Sequence, residues 1–135
     1  MNRIPSAFLG LITALFTAFI LTVIWLADTG RLLGILQFVH AIPCGDKVGH
    51  FLLIGMLCFL VSKTAVRVFP HEQPRRLVAL VCLGLAVVFG VEEASQSLIR
   101  VRNASFFDLL ADWAGIAAFG WLSLRFDHLH EPPGI

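Results

Sequence analysis

Residues 4–27 read IPSAFLGLITALFTAFILTVIWLA, a run without one charged side chain. A helix crosses the roughly 30 Å hydrocarbon core of a bilayer with about 20 apolar residues, each adding about 1.5 Å. This run is long enough to cross. It is too long for the apolar region of a signal peptide, and no A-x-A pattern precedes Asp28. It is expected to remain as a span, with Trp25 as an interfacial aromatic at its end. Three further apolar runs follow, at about residues 47–66, 77–99 and 106–124. Period-two alternation is absent, which argues against a barrel. The expected fold is all-α: an integral membrane bundle of four transmembrane helices, forming a single membrane domain over residues 1–135. Between the first two spans, residues 32–42 (LLGILQFVHAI) are too few to cross. A short re-entrant or interfacial segment is expected there, closed by a turn at Pro43, Cys44 and Gly45.

Composition agrees with this reading. Hydrophobic residues make up 58% of the chain and charged residues 14%, with mean hydropathy +0.85. Soluble domains carry about 25% charged residues. These values exclude a disordered chain, a collagen-like chain, a disulfide miniprotein and a basic nucleic-acid binder, so the expected partner is the lipid bilayer and not nucleic acid. The three cysteines contain no C-x-x-C pair. Arg3, Lys63, Arg67, Arg75, Arg76 and Arg125 fall on one side of the four spans, and Arg31, Lys47, Arg100 and Arg102 on the other, six cations against four. The positive-inside rule then puts both termini in the cytoplasm. Lys63 and Arg67 are expected to snorkel to the inner interface.

The informative residues are the ionisable ones within the spans. His50 is 13 residues from Lys63, Glu92 is 15 from Leu77 and Asp112 is 13 from Arg125. All three therefore lie roughly 20 Å above the inner boundary, or roughly 10 Å below the outer surface. Glu93 is one residue above Glu92. About a turn higher come Asp46, Lys47, Gln96 and Asp108, and above them Arg100 and Arg102. Facing agrees with depth. Asp108, Asp112, Gly115 and Phe119 form one stripe, with Ala111 and Ala118 beside it, and small residues there let a neighbouring helix approach closely. Glu93, Gln96, Ser97 and Arg100 share a second face, and Lys47, His50, Phe51 and Ile54 a third. Glu92 points about 100° away from Glu93. Five acids (Asp46, Glu92, Glu93, Asp108, Asp112) face three cations (Lys47, Arg100, Arg102), a formal deficit of two with His50 neutral. Charge inside a span is costly, so water, bound protons, a cationic His50 or a divalent metal is expected to offset it. A metal would draw on His50, Glu92, Glu93 and Asp112. The alternative is a buried ion-pair network that only holds helices together.

In this order the residues resemble the VanZ-like membrane protein family. The resemblance opens at Asp46-Lys47-x-x-His50-Phe51 and continues through Glu92-Glu93-x-x-Gln96, Arg102 and Asp108-x-x-x-Asp112-x-x-Gly115, so that it covers residues 46–120. Members often carry Pro-Gly before the loop arginine, where this chain has Arg100-Val101, and Asn where it has Asp112. The resemblance implies a bacterial envelope location, in the cytoplasmic membrane, and implies no particular reaction.

Two classes of function follow. In the first, the protein binds or processes an envelope lipid or lipid-linked phosphate at a site open to the outer face. Lys47, Gln96, Arg100 and Arg102 would contact the ligand, arginine through its bidentate fork. His50, Glu93, Asp108 and Asp112 are the catalytic candidates, as acid and base. A divalent metal would polarise a phosphoryl oxygen. No H-E-x-x-H, G-x-S-x-G or P-loop is present. In the second class, the chain is a non-enzymatic assembly subunit, or one handling ions or protons. A conduit needs ionisable groups at several depths. The inner half has no acids, since residues 51–62, 77–91 and 113–124 contain none.

Overall fold

With no water inside a bilayer, a backbone must satisfy its own N–H and C=O groups, and a helix does so within one segment. A computed structural model of the chain describes residues 5–99 and 104–128. Expectations resting on Arg3, Arg100 and Arg102 lie outside these residues. The described chain forms α1 (Ser6–Asp28), α2 (Leu33–Ala41), α3 (Gly45–Val68), α4 (Pro74–Gln96) and α5 (Phe106–His128), with no strand among the described residues. All but α2 are long and apolar enough to span a membrane. The molecule is an all-α, multi-pass membrane bundle.

Local chemistry sets the helix ends. Pro74 stands in the first turn of α4 behind an extended Gln73, where a proline's missing N–H costs nothing. Arg75 and Arg76, expected in the loop, are therefore helical, and α4 begins three residues before the apolar run does. It stops at Gln96, with Leu98 and Ile99 N–H groups bonded to Ser95 and Gln96 carbonyls in a tighter turn. Before α3, Cys44 adopts φ 58° in the left-handed region. Gly45 follows because a Cβ there would press on the Val39 carbonyl oxygen and the Ile42 side chain. That turn folds α2 back against the start of α3. At nine residues α2 is about 13 Å long. None of its residues is buried, which fits an interfacial segment.

α3 is the hub, with α1, α4 and α5 all packed on it. Gly115 of α5 lies directly against the Phe51 carbonyl of α3, and a Cβ on Gly55 would meet the Phe119 ring. The stripe expected on the fourth span is thus the face that allows α3 and α5 to touch backbone to backbone. Below it, Ile20, Ile54, Leu57, Cys58, Phe89 and Ile116 form the buried core. Outward faces remain apolar. Leu83 and Val91 on α4 are 63% and 65% exposed, as side chains that meet lipid should be. Hydroxyls in α1 are satisfied internally: Thr13, Thr17 and Thr22 each donate to the carbonyl four residues back, at 2.8–2.9 Å. Thr13 also meets Thr64 Oγ1 at 2.8 Å, a cross-link from α1 to α3. Lys63, expected at the inner interface, turns its ammonium to the Ser123 carbonyl of α5 at 2.8 Å. Trp25 is exposed and lies beneath the Arg31 guanidinium, 5.3 Å from it, in keeping with an interfacial aromatic.

Candidate functional site

Every polar side chain of interest lies at one end of the bundle. α3 and α5 both run away from that end, so spacings of three and four place their polar residues in register. Lys47 Nζ donates to Asp108 Oδ1 at 3.3 Å and to its neighbour Asp46 Oδ2 at 3.0 Å. One turn deeper, His50 Nδ1 and Asp112 Oδ1 are 2.9 Å apart. Asp112 is fully buried, and its second oxygen, Oδ2, has no hydrogen-bond partner among the described residues. His50 Nε2 has no such partner either, and His50 borders a cavity. A carboxylate that holds one ring nitrogen fixes how the other is presented, so His50 can exchange a proton with whatever occupies that cavity.

α4 contributes in two directions. Glu93 Oε1 accepts the backbone N–H of Ser105, just ahead of α5. The first N–H groups of a helix lack internal partners, and an acid beside them is favourable. Glu93 therefore anchors the start of α5 to α4. It is 4% exposed, and its Oε2 is unpartnered among the described residues. Glu92 faces the cavity and accepts from Gln96 Nε2 at 2.9 Å.

The expected metal set of His50, Glu92, Glu93 and Asp112 is not assembled. Among the described residues, no three His, Cys, Asp or Glu side chains are placed to hold one ion. The cause is the helical rotation between successive residues, which sends Glu92 to the cavity and Glu93 to the head of α5. Of the proposed ligand-binding groups, Lys47 and Gln96 are present in the cluster, while Arg100 and Arg102 lie outside the described residues. Lys47 is already engaged by two carboxylates.

The sequence points to a polar site open to the outer face but not to the apolar cavity that continues from it. The cavity has a volume of about 530 Å³ and lies between α1 and α4 over the face of α3, with α2 across its end. Pockets of about 300–1,000 Å³ commonly hold small molecules. Its walls are apolar, including Phe19, Val23, Leu36, Leu53 and Phe89. Its polar end carries Asp46, His50, Glu92, Gln96 and Asp108, with Gln37 and His40 from α2. From Ala27 to Phe19 the α1 wall extends about 12 Å along the bundle. Gly49 lines it too, and a Cβ there would meet nothing within 4 Å. Missing this space was unavoidable, because the wall residues of α1 look like any others in an apolar run.

Fold and site together define a helical membrane protein with a polar-ended cavity in one half of its bundle. No family model, curated protein or solved structure matches the chain.

Proposed function

We propose that this chain is a VanZ-like protein of the bacterial cytoplasmic membrane that binds an amphiphilic envelope lipid or lipid-linked precursor. The apolar chain lies in the cavity and the polar end among Asp46, His50, Glu92, Gln96 and Asp108. The observation that carries this reading is the division of one cavity into apolar walls and an acid-rich end. A network that served only to hold helices together would need no such space beside it. Both termini are cytoplasmic on the six-to-four cation count, so the polar end belongs to the outer leaflet. The His50–Asp112 pair favours a second reading, in which the bound lipid is also processed, with His50 as acid or base and Asp112 as its positioning residue.

Gly49→Leu tests the binding reading. Its side chain enters open space in the cavity wall, and leucine is a better helix former than glycine by about 0.8 kcal/mol. The variant should fold at least as well as the parent. Native mass spectrometry should find a co-purified amphiphile on the parent and at least about tenfold less on the variant, equivalent to about 1.4 kcal/mol. Equal lipid on both would refute the proposal. Orientation is tested separately with an impermeant maleimide on intact cells. Cys44, exposed at the polar end, should label from outside. In a background lacking the native cysteines, His71→Cys should not label until the membrane is opened. The reverse pattern would invert the topology.

A further inference from the structure

The cavity is not closed on every side. Its deep wall includes Ile54, Phe89 and Gln96, which are 5%, 5% and 2% exposed. Phe19, Leu33 and Ile35 line it too, yet they are 51%, 46% and 62% exposed. A side chain that borders an interior space and is also about half exposed marks where that space meets its surroundings. All three are apolar. Helix packing leaves room for an opening there, since α1 packs mainly on α3 while α4 packs on α3 and α5, and the cavity fills the gap between α1 and α4. Depth decides what lies outside. Phe19 is six residues below Trp25 in α1, about 9 Å deeper. Half of the hydrocarbon core is about 15 Å. With Trp25 at the interface, Phe19 therefore faces the acyl chains of the same leaflet. Leu33 and Ile35 belong to the interfacial helix α2. Gln37 and His40, exposed at the polar end, reach the head-group layer. The open edge of the cavity thus extends from the head groups down into hydrocarbon.

We infer that the cavity exchanges its occupant sideways with the leaflet at its polar end, through an apolar mouth rimmed by Phe19, Leu33 and Ile35, so that the ligand is a lipid resident in the bilayer and not an amphiphile taken from water. This rests on the reading of the cavity as a lipid site and adds the lipid's source and route. Along this route the head group stays among head groups while its chain moves from one apolar surrounding to another. A chain passing through water loses about fourfold in equilibrium constant for every methylene exposed, and the sideways path avoids that penalty.

Two spin-labelled probes, octadecanol and octadecyl phosphate with a doxyl group near the terminal carbon, test the route in nanodiscs holding the full-length protein. Electron paramagnetic resonance should show an immobilised component beside the fluid one, and the part of it lost in Gly49→Leu belongs to the cavity. Saturation transfer measures how fast that part exchanges with fluid lipid. Leu33→Trp/Ile35→Trp adds bulk at exposed positions of the mouth and should slow exchange by at least about tenfold. A mouth acts on entry and exit alike, so the rate should change by more than the bound fraction does. Phe19→Ala widens the mouth and should speed exchange by at least about threefold. Gln37→Trp places bulk at the head-group end instead and should slow it by less than about twofold, and Val87→Trp on the outward face of α4 should leave it unchanged. Exchange that is slowed by Gln37→Trp and untouched by Leu33→Trp/Ile35→Trp would overturn the inference, because the ligand would then enter past the head-group end. Rates indifferent to every mouth variant would overturn it as well, while a component sensitive to Gly49→Leu would still uphold the cavity as a lipid site. If neither probe gave a component sensitive to Gly49→Leu, both readings would fall.

Discussion

Gly115→Ala should destabilise the bundle by at least about 3 kcal/mol, the upper end of the usual cost of overpacking. The added methyl would meet the Phe51 carbonyl, with Gly55 N also within 3.2 Å. A side chain can rotate away from an intruding methyl, whereas a backbone carbonyl moves only with its helix. This contact between α3 and α5 would have to open, taking the Lys47–Asp108 and His50–Asp112 pairs with it. Gly55→Ala provides the comparison. The three atoms nearest its Cβ would all belong to the Phe119 ring, a side chain that can shift, so its cost should be smaller. Gly49→Ala should be neutral or stabilising. Thermal denaturation of the three variants in one detergent checks the order, and equal melting temperatures for the three would contradict the packing described.

Asp112→Ala should cost about 2–3 kcal/mol. The substitution removes a hydrogen bond of the strong class formed with charged groups and leaves a small void in a fully buried place. Part of the loss is tempered because the His50 side chain is 27% exposed, so its freed nitrogen can reach water through the cavity. Asp112→Asn should be milder. Its carbonyl oxygen can still accept from His50, and the cost is an amide N–H₂ placed where Oδ2 has no partner among the described residues. Melting temperatures should fall in the order Asp, Asn, Ala. A variant with Ala as stable as the parent would show that the pair contributes little to the fold.

Much of the architecture was legible because membranes constrain sequences strongly. A charge-free run such as residues 4–27 has one inexpensive conformation in lipid, and α1 follows it closely. That Lys47 and Asp108 share one depth, and His50 and Asp112 another, was legible for a related reason. An ionisable group inside a span seeks a partner at its own depth, and the two helices run in the same direction. What the sequence left hidden depends on how far apart helices stand. Phe19 and Val23 line the cavity, and Leu11 and Leu15 in the same helix are exposed on its outer side, yet apolar residues of one helix carry no mark of which neighbour they face. The adjacent acids Glu92 and Glu93 were assigned to one metal set from depth alone. Their separation follows from the roughly 100° step between successive helix residues; what stayed hidden is that Glu93 meets the Ser105 N–H ahead of α5, a property of the folded turn and not of any side chain.

The central claim is that a lipid chain occupies the cavity with its polar end at the rim. Photocrosslinking in lipid nanodiscs tests this most directly, using dodecyl amphiphiles that carry a diazirine either near the head or at the terminal carbon. Adducts are mapped by peptide mass spectrometry. The account predicts that the head-proximal probe labels Ala27, Leu36 and Gly49, and that the terminal probe labels Phe19, Ile20 and Leu53, all of which line the cavity. Adducts confined to outward-facing residues such as Leu83, Val87 and Val91, whichever carbon bears the diazirine, would contradict it.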